Sequence, residues 1–211
     1  MTTTFPDVSI STDRLVLRAF EEGDIPAYAE MMNDEQTIAW TSAPHPYTTA
    51  DAEYWIRRIA PAERLGGGGI VLAVTEFLTQ RLVGTVHLRN TNWHTRATEA
   101  ACVTAPWARG EGYATESVLA VAKWLFRDQK FERLELRTAA GNTASQQVAQ
   151  KAGAISEGVL RSAWIARVQT EDGTWTDTRT DLILWSLLPE DLEGGTERMA
   201  RFGYSSFTEL A

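Results

Sequence analysis

A single cysteine, Cys102, occurs in the 211 residues. That excludes an internal disulfide and a cysteine cage for zinc. Histidine is almost as scarce: His45, His87 and His94 are scattered and show no metal-ligand spacing, so no metal is expected. No apolar run reaches the ~18 residues that a membrane span needs. The opening residues, MTTTFPDVSI, carry neither the basic segment nor the apolar core of a secretory signal. Together these absences lead to the expectation of a soluble, cytoplasmic protein without a membrane partner. Cations are also outnumbered, with 20 Lys and Arg against 28 Asp and Glu, for a net charge of −8. Nucleic-acid binding needs clustered cations to neutralise phosphate, so no nucleic-acid partner is expected. An acidic chain is a better host for amines and other small cations.

What is present is the balance of a globular domain, with 44% hydrophobic and 23% charged residues. The length suits one domain, here 1–188, followed by a tail over 189–211 in which Met199, Phe202, Tyr204 and Phe207 are apolar enough to dock. Eight tryptophans are many for this length and fit either a packed core or a large-walled cleft. No internal repeat is found, and the one biased stretch, Gly66 to Gly69, reads as a turn.

The pattern of the chain is strand, helices, strands, helix, strand, helix, strands. Residues 14–18 alternate polar and apolar, as a half-buried strand does. A helix follows over 25–33. Thr48, with Asp51 three residues on, predicts an N-cap and an acidic capping box for a helix to about Glu63. Residues 70–76, 82–89 and 99–103 read as strands. Ala114, Val118, Val121, Ala122, Leu125 and Phe126 recur at helical spacing. Residues 133–138 predict a strand, and Asn142 caps a short helix over 143–152 that Gly153 closes. Residues 159–170 and 178–187 form a last hairpin around Glu171, Asp172 and Gly173. This order predicts an α/β (α+β) layer around one mixed sheet.

The segment able to carry chemistry is Val103 to Ala114, VTAPWARGEGYA: a strand end, a loop with Arg109, Gly110 and Gly112, and a helix start at Tyr113. Free backbone N–H groups at a helix N-terminus bind anions, and the helix dipole adds to the effect. Glycine lets phosphate oxygens approach the backbone with no Cβ in the way. The loop therefore reads as a phosphate or pyrophosphate cradle. It lacks the Gly-Lys-Ser/Thr of a P-loop and the third glycine of the dinucleotide fingerprint.

In these residues the sequence resembles the GNAT superfamily of acyl-CoA-dependent N-acyltransferases. The superfamily hallmark Gln/Arg-x-x-Gly-x-Gly/Ala is matched by Arg109, Gly112 and Ala114. The likeness covers about residues 11–188 and is strongest to the branch that acetylates ribosomal-protein N-termini. The TDRLVLR stretch from Thr12 looks like its first strand. Glu99 matches its fourth-strand glutamate, Asn142 to Ser145 its Asn-x-x-Ser motif, and Asp181 to Leu188 its last strand. Three stretches depart. Ala100 to Val103 replaces aromatics, Gln146 and Gln147 replace basic residues, and Ala152-Gly153-Ala154 replaces Leu-Gly-Phe.

The resemblance implies a GNAT fold: about seven strands, splayed between the fourth and fifth, flanked by about four helices. It implies acetyl-CoA as co-substrate, with pyrophosphate on the backbone of Arg109, Gly110, Gly112, Tyr113 and Ala114, pantetheine along Ala101 and Val103, and further contacts from Asn142 and Ser145. Glu99 is the expected general base, through a water, and Ser145 the group that hydrogen-bonds the leaving thiolate. Trp40, His45 and Asp181 are the expected acceptor-side residues. The implied activity is N-acetyl transfer to a primary amine, either a protein N-terminus or a small molecule, by direct attack in a ternary complex. Alternatives are transfer from another acyl-CoA such as succinyl-CoA, or a non-catalytic CoA-binding regulatory module. The apolar residues of the 189–211 tail are also compatible with a packed tail or a homodimer contact. Cys102 has no neighbouring base and reads as a small apolar residue, not a nucleophile.

Overall fold

The computed structural model of the chain describes residues 3–192. Most of the tail expected at 189–211, with its four apolar candidates, lies outside the described residues. Only a single helical turn at Pro189–Leu192 is described there.

Strands β1 (Ile10–Ser11) and β2 (Leu15–Arg18) open the fold. Helices α1 (Ile25–Met32), α2 (Glu35–Trp40), α3 (Thr49–Tyr54) and α4 (Ala60–Gly66) follow. Then come β3 (Ile70–Glu76), β4 (Leu82–Asn92), β5 (Ala97–Thr104), α5 (Tyr113–Arg127), β6 (Arg133–Ala139), α6 (Thr143–Lys151), β7 (Ile155–Gln169) and β8 (Trp175–Leu187). All eight strands join one sheet in the order β1-β2-β3-β4-β5-β6-β8-β7. Only β5 and β6 pair in parallel; every other neighbour is antiparallel.

The local reasons are legible. In β2, Leu15 and Leu17 are buried while Val16 and Arg18 are half-buried, the alternation of a strand with one face on the core. β3 is buried along almost its whole length because helices cover both faces of the sheet there. The apolar stripe of α5 (Val118, Val121, Ala122 and Leu125) is fully buried. At ~25 cal/mol per Å2, each of the valine and leucine side chains contributes about 1.5–3 kcal/mol. The Thr48–Asp51 capping box forms as expected. Gly153, at φ +83°, ends the α6 segment in the left-handed conformation that glycine tolerates best.

The structure differs from expectation in three elements. Residues 49–66 form one helical stretch interrupted by a wide π turn at Trp55–Ile59, so α3 and α4 stand where one helix is expected. α2 was not anticipated: it has only six residues, too few for periodicity, and is held by Asp34, whose side chain accepts from the Thr37 amide. The strand count is eight because the two-residue β1 adds to the seven expected.

One topological feature positions the site. β5 pairs with β6 only from Ala97–Arg133 to Ala100–Leu136, while β5 continues along β4 as far as Thr104. Beyond Ala100 and Leu136 the two parallel strands separate. Alternate backbone groups of residues 101–104 then face the gap instead of a partner strand.

Candidate active site

The gap opens into a cavity of about 770 Å3. Its walls include β5 from Ala100 to Thr104, β6 from Leu136 to Ala139, the start of α5 and the start of α6. Helices α1 to α3 and the loop after α2 close the opposite side. All nine residues expected at the cofactor line this one cavity: Ala101, Val103, Arg109, Gly110, Gly112, Tyr113, Ala114, Asn142 and Ser145.

The glycine loop has the conformation that an anion cradle requires. Gly110 (φ +87°) and Gly112 (φ +79°) are left-handed, where a side chain is strained. Gly112 is the N-cap of α5 and supplies no side-chain cap. The first intrahelical bond of the turn runs from the Glu116 amide to the Gly112 carbonyl, so the amides ahead of it have no helical partner. Gly112, Tyr113, Ala114 and Thr115 all line the cavity. The resulting group of orphan donors at the positive end of a four-turn helix fits a diphosphate.

Side chains lock this loop from outside. Arg14 donates from Nη1 to the Glu111 carbonyl (3.1 Å) and from Nε to Glu116 (2.8 Å). The Tyr113 hydroxyl donates to Glu76 (2.9 Å). The Arg109 guanidinium pairs with Asp34 at the head of α2. Burial works against the Asp34 anion, but Arg109 and the Thr37 amide outweigh it and hold the carboxyl below its usual range. The Arg109 side chain therefore ties α2 to the loop, leaving its backbone for the anion.

At the mouth of α6, Asn142 Oδ1 accepts from the Ser145 amide (3.0 Å), the expected N-cap. The Ser145 hydroxyl has no protein hydrogen-bond partner among the described residues and lines the cavity. The Trp40 ring lies against Gly141, where an added Cβ would meet it at 3.1 Å. Trp40 thus walls the cavity beside Asn142.

Three expected residues are not brought to that wall. Glu99 is 3% exposed and lies outside the cavity lining. Its Oε1 accepts from Arg89 Nε (2.9 Å) and Nη2 (2.5 Å), and its Oε2 accepts from Asn90 (2.9 Å), with Arg137 Nε at 3.5 Å. The carboxylate stands as a buried, paired anion, whereas a base must lie within hydrogen-bond reach of the proton it takes, directly or through one water. His45 sits outside the lining, edge-on to Trp175 (6.2 Å between centroids). Asp181 accepts from the Ser162 amide (2.6 Å) and serves the β7–β8 ladder. Cys102 lines the gap, but burial pushes its thiol up to about 12, far from a thiolate at neutral pH.

Other residues of the chamber escaped the sequence reading. Tyr28, Tyr54 and Trp55 supply aromatic walls. His87 enters from β4, its Nε2 2.8 Å from Glu63 Oε2 of α4 and its ring edge-on to Trp55. The aromatic surplus was a signal for these walls. The His87–Glu63 pair had none, since its partners come from a helix and a strand.

The matching family model is the acetyltransferase (GNAT) domain, over residues 14–155. The chain belongs to this family, whose members are acyl-CoA-dependent transferases. Solved structures agree in fold. A GNAT-family acetyltransferase from Bacillus anthracis has 22% identity and a TM-score of 0.69, covering 87% of this chain and 99% of that one. A ribosomal-protein-S5-alanine acetyltransferase from Vibrio fischeri has 19% identity and a TM-score of 0.70, covering 89% and 100%. A spermidine N-acetyltransferase from Vibrio cholerae, in complex with CoA and spermine, has 18% identity and a TM-score of 0.70, covering 87% and 100%. No curated protein matches the sequence. Among the described residues no helix is long and apolar enough to cross a membrane.

Proposed function

We propose that the chain, as one domain over 1–188, transfers an acetyl group from acetyl-CoA to a primary amine in a ternary complex. The observation that carries this reading is the continuity of the orphan amides at the head of α5 with the gap between β5 and β6. The diphosphate rests on the amides from Gly110 to Ala114. The pantetheine runs into the gap and pairs with β5 at Ala101 and Val103. The thioester then lies toward the closed end of the gap, at Ala100 and Leu136.

There the Ser145 hydroxyl hydrogen-bonds the departing sulfur. Main-chain amides of β5 steady the oxygen on which negative charge develops, which needs no particular side chain. The amine enters from the aromatic side, past Trp40. Glu99 contributes as the buried anion that orders Arg89 and Arg137 at the cavity wall. Use of Glu99 as base would need a proton path from the cavity to its buried carboxylate.

A calorimetric panel of acetyl-CoA, succinyl-CoA, ATP and NAD, followed by an amine library read by free-thiol release, tests the reading. Micromolar acetyl-CoA binding and amine-dependent thiol release are expected. Binding of ATP or NAD without acetyl-CoA binding would overturn it.

A further inference from the structure

The chamber contains one titratable dyad that the reading above leaves without a role. His87 and Val71 pair across β3 and β4, and His87 and Ala101 pair across β4 and β5. Residues directly opposite in antiparallel strands share a face, with Cβ atoms about 4.5–5.5 Å apart. His87 therefore stands beside Ala101, the first β5 residue past the end of the pairing with β6. Glu63, from the first turn of α4, reaches its Nε2 at 2.8 Å. Gly69 backs the carboxylate so closely that a Cβ there would lie 2.9 Å from Oε2. Both side chains keep partial solvent contact, 19% for His87 and 32% for Glu63.

We propose that His87, oriented by Glu63, accepts the proton of the incoming amine. This rests on the acetyltransferase reading. The bond to the Glu63 carboxylate assigns the proton of neutral His87 to Nε2 and leaves Nδ1, which has no protein partner among the described residues, as the open lone pair. The acceptor ammonium gives one proton to Nδ1. Its nitrogen bonds the thioester carbonyl carbon, the carbon–sulfur bond breaks, and the second proton leaves nitrogen for the sulfur beside Ser145. Amide, thiol and imidazolium result, and the imidazolium stands against Glu63 until it loses its proton to water. An unperturbed amine of pKa about 10.4 is nearly all protonated at neutral pH, so direct attack needs a proton acceptor beside the thioester.

The other titratable groups around the dyad are not better placed. Asp51 on α3 is spent on the Thr48 capping box. Arg89, two residues along β4, is held by Glu99. Burial raises Tyr28, Tyr47 and Cys102 away from neutral pH, and Tyr54 is largely exposed.

The test compares the intact wild-type chain with His87→Gln and Glu63→Gln. Acetyl-CoA affinity is read by calorimetry. Thiol release is read from pH 5.5 to 9.5 with three probes: tyramine, spermidine and a peptide with N-terminal alanine. The expected His87→Gln result is acetyl-CoA affinity within about twofold, kcat down about a hundredfold or more, and loss of the acidic limb of the kcat profile. Glu63→Gln lowers kcat while acetyl-CoA affinity stays within about twofold, because the ring loses the acceptor that fixes its tautomer and orientation. A limb that belongs to the amine itself would persist in His87→Gln. An unchanged kcat profile in both variants overturns the assignment of His87 and leaves the acetyltransferase reading standing. Wild-type protein that binds acetyl-CoA but releases no thiol with any probe overturns both.

Discussion

Gly112 shows how much one residue can decide. It sits at φ +79°, caps α5 with no side chain, and borders the cavity at its anion end. Gly112→Glu strains the backbone, fills the cradle and sets a carboxylate where the diphosphate belongs. Like-charge juxtaposition costs several kcal/mol. We expect acetyl-CoA affinity to fall about a hundredfold or more by calorimetry; unchanged affinity would end the cradle's role. Arg109 teaches the converse. Its side chain, the charged member of the hallmark, is committed to Asp34, so the proposed cradle rests on the loop's backbone amides.

At the scale of elements, the two helices that face the gap present their N-termini to it in different ways. α5 leaves its first amides open, and α6 spends Asn142 on the Ser145 amide. Asn142→Ala removes that cap, for an expected loss of about 1 kcal/mol. In a chain of this size that lowers the melting temperature by roughly 2–4 °C. The same variant releases the first turn that carries Ser145, so KM for acetyl-CoA should rise along with the loss of stability. A melting temperature unchanged within error would mean that the cap contributes nothing. The β5–β6 pair is the other decisive element. Four residues of parallel pairing followed by separation turn an ordinary crossover into a slot.

Across the whole molecule, ionic links between strands set the acid limit of stability. Arg133 and Ser186 hydrogen-bond the Glu157 carboxylate and, against its partial burial, hold it at about 2. A depressed carboxylate stabilises the fold above its unfolded pKa, about 4.5 in the free side chain, and loses that contribution as pH falls through about 2. The melting temperature should therefore decline from about pH 5 toward pH 2. Glu157→Gln should flatten that decline while lowering the plateau at neutral pH. A variant profile parallel to the wild type would remove Glu157 from the acid transition.

Much of this was legible in the sequence, and the parts that were not share a cause. The capping box at Thr48, the stripe of α5, the glycine loop and the Asn142 cap all lie within a few residues of themselves. Their hydrogen bonds and apolar spacing are local, so the chain order determines them. α2 was missed because six residues carry too little pattern, and the π turn because a widened turn keeps helical spacing on both sides. What only the tertiary structure decided is which distant side chains meet. Register across β4 and β5 set Arg89 on Glu99 and closed that carboxylate off. The packing of α4 against β3 brought Glu63 to His87. A side chain's residue type gives its chemistry, but its free lone pairs depend on neighbours supplied by the fold.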